Sequence, residues 1–311
     1  AISVMKQLRG LIVRTQSGFY WVDTPHGQIL CRLRGRLKKG PRLGDVAAIG
    51  DWVKLTLLPD GSGMIEEIEP RLRTLSRKAP TPQGEYEQII IANPDQAVLV
   101  FACAQPEPRL GMLDRYLVIC ERQGIPALIL VNKVDLLPLE HAQQTFDLYR
   151  GLGYGVLYVS AKTGYSLETL HEHLKGKISV FTGPSGVGKS TLLKCLLPEW
   201  EREIAEVRRR VYKGRHTTVR REMHPLPEGG YVADTPGLKA LALWDIEPEE
   251  LDGYFVEMRE LVKECAFSDC THLHEPGCSV RQAVEEGKIH PSSYQSYLRL
   301  RFGEEGDEIK V

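Results

Sequence analysis

The sequence has no apolar run approaching the roughly 18 to 20 residues that a bilayer-spanning helix needs, which argues against a membrane-spanning role. Its amino terminus, AISVMKQLRGLIV, is apolar too briefly, and interrupted too soon by Lys6 and Arg9, to read as a secretory signal. Net charge is scarce, at -1 over 311 residues, which argues against nonspecific polyanion binding by the chain as a whole. Cysteines are few and odd in number: seven, of which three fall between 265 and 278. That distribution does not suit a disulfide framework and does suit a metal clip in a reducing compartment. No internal repeat or low-complexity segment is evident. The absences leave a cytoplasmic globular protein as the expectation, without a membrane partner. Its 42% hydrophobic and 26% charged residues fit that class.

The small net charge hides two basic segments without an acid, RLRGRLKKGPR (32–42) and RRRVYKGRHTTVRR (208–221). Such runs are ordinarily solvated faces or loops, and only their context can give them more meaning.

Three textures divide the chain, which at this length is expected to hold more than one domain. Residues 1–75 contain short runs rich in β-branched and aromatic residues, such as GLIVR, FYWVD, QILCRL and DWVKLTLL, broken by Gly, Pro and Asp. Five short strands suit an OB-fold barrel, and the same pattern also suits an SH3-like one. Residues 76–88 carry Pro, Gly and polar side chains with no apolar period and read as a linker. Over 89–245, compact apolar runs (AVLVFA, ALILV, GVLYV, ISVFT, YVA) alternate with helical patterns, which predicts a doubly wound α/β domain. Residues 246–311 are mostly helical and surround the cysteines. So small a domain has little apolar material of its own, and a metal would help hold it together.

The segment GPSGVGKS (183–190) has the phosphate-loop spacing and lies between a predicted strand and a predicted helix. Gly183, Pro184, Ser185, Gly186, Val187 and Gly188 would wrap backbone amides around phosphate oxygens. Lys189 would reach the β- and γ-phosphates, Ser190 would ligate Mg²⁺, and Thr191 follows in the first helical turn. DTPG (234–237) follows the run YVA. Asp234 would hold the magnesium through water, and the Gly237 amide would meet the γ-phosphate. NKVD (132–135) follows ALILV, and its Asp135 carboxylate can accept from the N1 and 2-amino groups of guanine, which adenine cannot supply. Asn132 would tie the loops together and the Lys133 stem would cover one face of the purine. In SAKTG (160–164), Ser160, Ala161 and Lys162 complete the base site, the Ala161 amide facing guanine O6. The cofactor is therefore GTP or GDP with Mg²⁺, and the base-reading motifs precede the phosphate loop.

The first switch must lie between the phosphate helix and DTPG. Thr217 and Thr218 are the candidates for its magnesium-binding threonine, with Thr218 preferred. The position after DTPG, where many GTPases carry a water-orienting Gln, is Leu238, which can neither donate nor accept. His216 is the candidate for that task. Cys265, Cys270, His272 and Cys278 form C-x4-C-x-H-x5-C, the donor set of a closed structural zinc site, with His274 as an alternative ligand.

The order NKVD, SAK, GPSGVGKS, GRHTT, DTPG, behind a β-barrel and ahead of the cysteine cluster, resembles the circularly permuted ribosome small-subunit-dependent GTPase A family (RsgA, also called YjeQ). NPDQ (93–96) and LDRYL (113–117) are similar to family stretches as well. The resemblance spans nearly the whole chain. It implies an N-terminal OB-fold, a circularly permuted P-loop GTPase domain and a C-terminal zinc-binding domain. It also implies GTP hydrolysis stimulated by the small ribosomal subunit late in its maturation, with the 30S subunit and 16S rRNA as partners. Separately from the resemblance, the chain is expected to be a monomer. Family members share the hydrophobic replacement at Leu238, which supports His216 as catalytic beside Lys189 and Thr218. Two other readings make different predictions: an RNA-binding scaffold in which turnover is irrelevant, and a phosphate-loop ATPase, which NKVD and SAK oppose.

Overall fold

The computed structural model describes residues 7–38, 45–81, 84–197, 221–234 and 246–303. Five strands open the chain: β1 (Gln7–Gln16), β2 (Phe19–Thr24), β3 (Gly27–Leu33), β4 (Trp52–Leu57) and β5 (Gly63–Ile68). β1 pairs with both β2 and β4, β3 runs parallel to β5, and β4 pairs with β5, so the ribbon closes on itself. This is an OB-like barrel, and strand pairing decides what strand count alone left open. Alternation along β3 sends Ile29, Cys31 and Leu33 inward and leaves Leu30 and Arg32 outside.

Residues 76–88, expected to be a linker, lie instead within a two-stranded antiparallel hairpin, β6 (Thr74–Thr81) and β7 (Gly84–Ala92). Two of its described cross-strand pairs are polar. Arg77 donates to Gln88 Oε1 at 2.5 Å, and Ser76 Oγ donates to Glu87 Oε1 at 2.8 Å. At its base Leu75, Ile89 and Ile91 are buried. A ribbon held by backbone ladders and polar cross-strand pairs has no apolar period for a sequence reading to find.

The nucleotide domain is a sheet of β8 (Gln96–Ala102), β9 (Ala127–Asn132), β10 (Gly155–Tyr158), β11 (Ile178–Thr182), β12 (Arg221–Pro225) and β13 (Tyr231–Asp234). The strands lie in the order β10-β9-β8-β11-β13-β12, parallel except for β12. The helices are α1 (Leu110–Gln123), α2 (Leu139–Gly151), α3 (Leu167–Leu174) and α4 (Lys189–Leu196). β8 and β11 are buried along their whole length because both faces are covered. Leu99 and Phe101 of β8 join the core beneath Phe146 and Tyr149, while Val98 and Val100 join Leu170, Leu192 and Leu193 on the other side.

β1 divides its length between two partners. Residues 7–11 close the barrel on β4, whereas Arg14 and Thr15 pair with Glu222 and Arg221 of β12. The barrel and the nucleotide domain thereby form one continuous 11-stranded sheet.

Beyond residue 246, the described chain forms 3-10 turns at Pro248–Tyr254 and Leu261–Glu264, then α5 (Ser279–Glu285) and α6 (Pro291–Phe302). Val118 of α1 belongs to the same apolar cluster as Phe255, Met258, Tyr297 and Leu298. This small region completes its core against the nucleotide domain, as its limited apolar content requires.

Candidate guanine-nucleotide site and metal cluster

The phosphate loop runs from the end of β11 into α4. A Cβ on Gly183 would stand 2.1 Å from the Val100 carbonyl oxygen, so the loop can cross β8 only without a side chain. Gly188 sits at φ +88°, and a Cβ there would lie 2.4 Å from Asn132 Nδ2. Glycine at 188 therefore lets the phosphate loop touch the base-reading loop. Among the described residues, no side chain caps the start of α4. Its first amides face the loop's concavity, where the helix dipole favours an anion. Ser185, Gly186, Ser190 and Thr191 are exposed there, Val187 is buried, and Pro184 is half-buried. Lys189 Nζ and Asp234 Oδ1 are 2.5 Å apart, which brings the loop lysine to the carboxyl end of β13. Such convergence at strand carboxyl ends is where α/β sheets bind ligands.

Asn132, at the end of β9 and buried, joins three segments. Its Nδ2 donates to the Val187 carbonyl at 2.9 Å, and its Oδ1 accepts from the Ala161 amide at 3.1 Å. Lys133, at φ +67°, sends Nζ to the carbonyls of Gly186, at 2.6 Å, and of Gln105. Ser160 is fully buried; its Oγ donates to Asp135 Oδ1 at 2.6 Å and accepts from the Thr163 amide at 3.1 Å. Lys162 Nζ lies 4.0 Å from the same carboxylate. Asp135 is thus held in place before any base arrives, with its second oxygen on the side of the exposed Lys162. Preorganising a carboxylate in this way lowers the ordering cost of reading guanine.

Two contributors had no sequence signature. The Gln105 carbonyl holds Lys133 from the loop after β8, and the Cys103 thiol donates to the Lys133 carbonyl at 3.0 Å. A backbone carbonyl is offered by every residue type, so no motif could mark it. His216, Thr217, Thr218, Gly237 and Leu238 lie outside the described residues.

In the carboxyl-terminal region, one ligand atom each from Cys265, Cys270, His272 and Cys278 lies within 4.8 Å of the other three. His274 is exposed and not in the group, so the structure selects His272 between the two histidines. Burial pushes the Cys270 thiol up to about 12, with the neighbouring thiols adding to the rise. A dication would reverse that preference, because a coordinated thiol binds as thiolate. Three sulfurs and one imidazole nitrogen are the complete donor set of a closed tetrahedral zinc site.

Residues 68–244 match the family model described as RsgA GTPase, and residues 9–65 match the RsgA N-terminal domain. The chain is 42% identical to the "Small ribosomal subunit biogenesis GTPase RsgA" of Gemmatimonas aurantiaca, over 94% of this chain and 96% of that one. It is 39% identical to the protein of the same name from Bacteroides fragilis, with the same coverage. Among solved structures it resembles YjeQ from Thermotoga maritima (TM-score 0.75, 36% identity, 96% of this chain and 98% of that one). It also resembles YloQ, described as a circularly permuted GTPase (TM-score 0.73, 34% identity, 97% and 96%). With base-reading loops that precede the phosphate loop in sequence yet converge on it in space, and with matches of this extent, the chain belongs to the RsgA GTPase family and is a GTP-hydrolysing enzyme.

Proposed function

We propose that this enzyme binds the small ribosomal subunit and hydrolyses GTP to GDP and phosphate as a factor in late 30S maturation, the subunit accelerating hydrolysis. Relatives over nearly the full length are named as small ribosomal subunit biogenesis GTPases, which supports the 30S subunit and its 16S rRNA as partners. The observation that carries the enzymatic part is the convergence of Asn132, Lys133, Asp135 and Ser160 on a phosphate loop whose Lys189 meets Asp234.

In this reading, Asp135 and the Ala161 amide read guanine, and Lys133 lies along the base. The amides of 183–188, together with Lys189, hold the phosphates. Ser190 and Thr218 would hold Mg²⁺ with Asp234 supporting it, the metal would neutralise charge on the phosphates, and the Gly237 amide would meet the γ-phosphate. His216 orients the attacking water in place of the absent glutamine. The barrel (1–75) and the zinc-binding region (246–311) grip rRNA, and the nucleotide domain (89–245) lies between them in sequence. The basic segment around GRHTT then couples contact with phosphate backbone to the switch. The protein acts in the cytoplasm as a monomer.

The test is the GTPase rate with no addition, with 30S subunits, with 50S subunits and with free rRNA. A rise only with 30S subunits is expected, and equal rates with and without them would overturn the reading. Single-turnover hydrolysis by His216→Ala at saturating GTP is expected to be slower than that of the parent, and an unchanged rate would remove His216 from the mechanism.

A further inference from the structure

In the Cys265, Cys270, His272, Cys278 cluster, the two ring nitrogens of the histidine face different partners. His272 has no exposed surface. Its Nδ1 is turned into the cluster, 3.3 Å from Cys278 Sγ and 3.7 Å from Cys265 Sγ. Its Nε2 points away from the thiols and lies 3.0 Å from Oδ2 of Asp252. Asp252 belongs to the turn Pro248–Tyr254, upstream of the whole ligand loop, and is itself buried, with 9% of its surface exposed. A carboxylate oxygen accepts, so Nε2 carries the hydrogen of the pair, and a neutral imidazole protonated there keeps its lone pair at Nδ1.

We infer that Asp252 is a positioning residue of the metal centre: it fixes the tautomer and ring orientation of His272 so that Nδ1 is the nitrogen ligand. The inference rests on reading the cluster as a zinc site.

The backbone around His272 is held by its own bonds, and the Tyr297 ring packs against the imidazole with centroids 5.7 Å apart, a contact that does not distinguish the two ring nitrogens. His272 sits at φ +61°, in the left-handed region that non-glycine residues seldom occupy. Tyr294 Oη donates to the His272 carbonyl at 2.6 Å. The Glu275 carboxylate accepts from the amides of Thr271, Leu273 and His274 at 2.8, 3.1 and 3.2 Å. These bonds hold the main chain, and none of them touches the imidazole. Rotation of the ring would exchange Nδ1 for Nε2 at the thiols, and the Asp252 contact opposes that exchange. Hydrogen bonds of this kind, from a ligating histidine to a carboxylate behind it, orient the ring and raise its basicity. A rival role is an ion pair with a doubly protonated imidazole, in which neither nitrogen could bind a metal.

The experiment uses the full-length protein supplied with zinc. Metal affinity is measured by competition with a chromophoric chelator for the parent, Asp252→Asn and Asp252→Ala. Asp252→Ala is expected to lose about 10- to 100-fold in zinc affinity. Asp252→Asn is expected to lose less, because an amide oxygen still accepts. In parallel, nitrogen NMR of the parent labelled at histidine is expected to show His272 Nε2 protonated and Nδ1 shifted by the metal. Unchanged affinity in Asp252→Ala overturns the inference, and so does a metal-bound or unprotonated Nε2. Should Asp252→Ala fail to fold, the NMR assignment on the parent decides alone. A parent that takes up no zinc would bring down the zinc reading and this inference with it, whereas a zinc-loaded parent with Nε2 at the metal overturns only the role of Asp252.

Discussion

Arg221 reaches across the seam between the two parts of the sheet and sets its Nη1 3.3 Å from Asp45 Oδ2, on the barrel side. The same nitrogen donates to the Ile89 carbonyl of the hairpin at 2.6 Å. Asp45 is in turn bound by Tyr86 Oη at 2.8 Å and by the Ile89 amide at 3.0 Å. One carboxylate therefore gathers barrel, hairpin and β12. Tyr231 Oη, donating to Asp23 Oδ2 at 2.9 Å, adds a further bond across the same seam.

The position of Arg221 in the sequence gives this seam a functional reading. Thr218, the proposed magnesium-binding threonine, lies three residues earlier in the sequence. Arg221→Ala is expected to leave intrinsic GTP hydrolysis unchanged and to lower the rate reached with 30S subunits. Arg221→Lys should recover only part of it, since one ammonium reproduces the guanidinium fork poorly. Steady-state GTPase assays with and without subunits check this, and full stimulation of Arg221→Ala would show the seam to be structural only.

Gly188→Ala tests the contact between the phosphate loop and the base loop. The new methyl would stand 2.4 Å from Asn132 Nδ2, at a φ of +88° that alanine disfavours. Displacing Asn132 breaks its bond to Val187, and a lost buried hydrogen bond costs about 1–3 kcal/mol. GDP affinity, measured with a fluorescent nucleotide, is expected to fall about 10- to 100-fold at unchanged helical content. Parent-like affinity would mean that the two loops do not need this approach.

Ser160→Ala asks whether the base reader must be held. The Ser160 hydroxyl is bonded to Asp135 Oδ1 at 2.6 Å and is wholly buried. Hydrogen bonds to charged groups contribute about 1.5–3 kcal/mol, so the variant should bind GDP roughly tenfold more weakly or worse. ATP competition should stay negligible, because Asp135 itself remains. Isothermal titration with GDP and ATP measures both.

Legibility in the sequence followed physical range. β8 and β11 were readable because a strand covered on both faces reads as a compact, mostly apolar run, AVLVFA and ISVFT. The loops at Asn132, Ser160 and Gly183 were readable because nucleotide chemistry dictates residue type and spacing. The β6–β7 hairpin was not, since Arg77, Gln88, Ser76 and Glu87 look like a solvated linker until they are paired. Cluster spacing admitted both His272 and His274, and only three-dimensional closure separates them. Asp45, Asp252 and the Gln105 carbonyl act across long sequence separations through groups that no local pattern distinguishes.

With the Cys265, Cys270, His272 and Cys278 cluster read as a zinc site, removing the metal should act locally. Cys270 and Cys278 belong to the apolar cluster that holds α5 and α6, so chelation under native conditions is expected to melt helical structure around 265–302. The base-reading and phosphate loops share no ligand with that cluster, so GDP binding should survive. Circular dichroism and nucleotide binding, each followed before and after chelation and zinc return, report the two parts separately. Loss of both together would show that the regions fold as one unit.

The seam between α1 and α6 carries a buried acid whose ionisation opposes folding. Asp114 Oδ1 accepts from Tyr149 Oη at 2.7 Å and Oδ2 accepts from Ser296 Oγ, yet only 4% of its surface is exposed. Burial raises its pKa to about 6, and the nearby Glu257, itself raised by burial, adds to the rise. The folded value lies above that of the unfolded chain, near 3.9. Asp114 therefore contributes stability that is fully present below about pH 4 and is lost as pH rises through about 6. Other carboxylates slope the opposite way, so the useful quantity is the difference between Asp114→Asn and the parent. An asparagine stays neutral throughout and can still bond both hydroxyls, one as acceptor and one as donor. Denaturant unfolding is expected to show the variant gaining on the parent between pH 4 and 7 by an amount on the order of 2 kcal/mol. A difference that stays flat over that range would mean that Asp114 titrates as an ordinary solvated acid, and that the α1–α6 seam admits water.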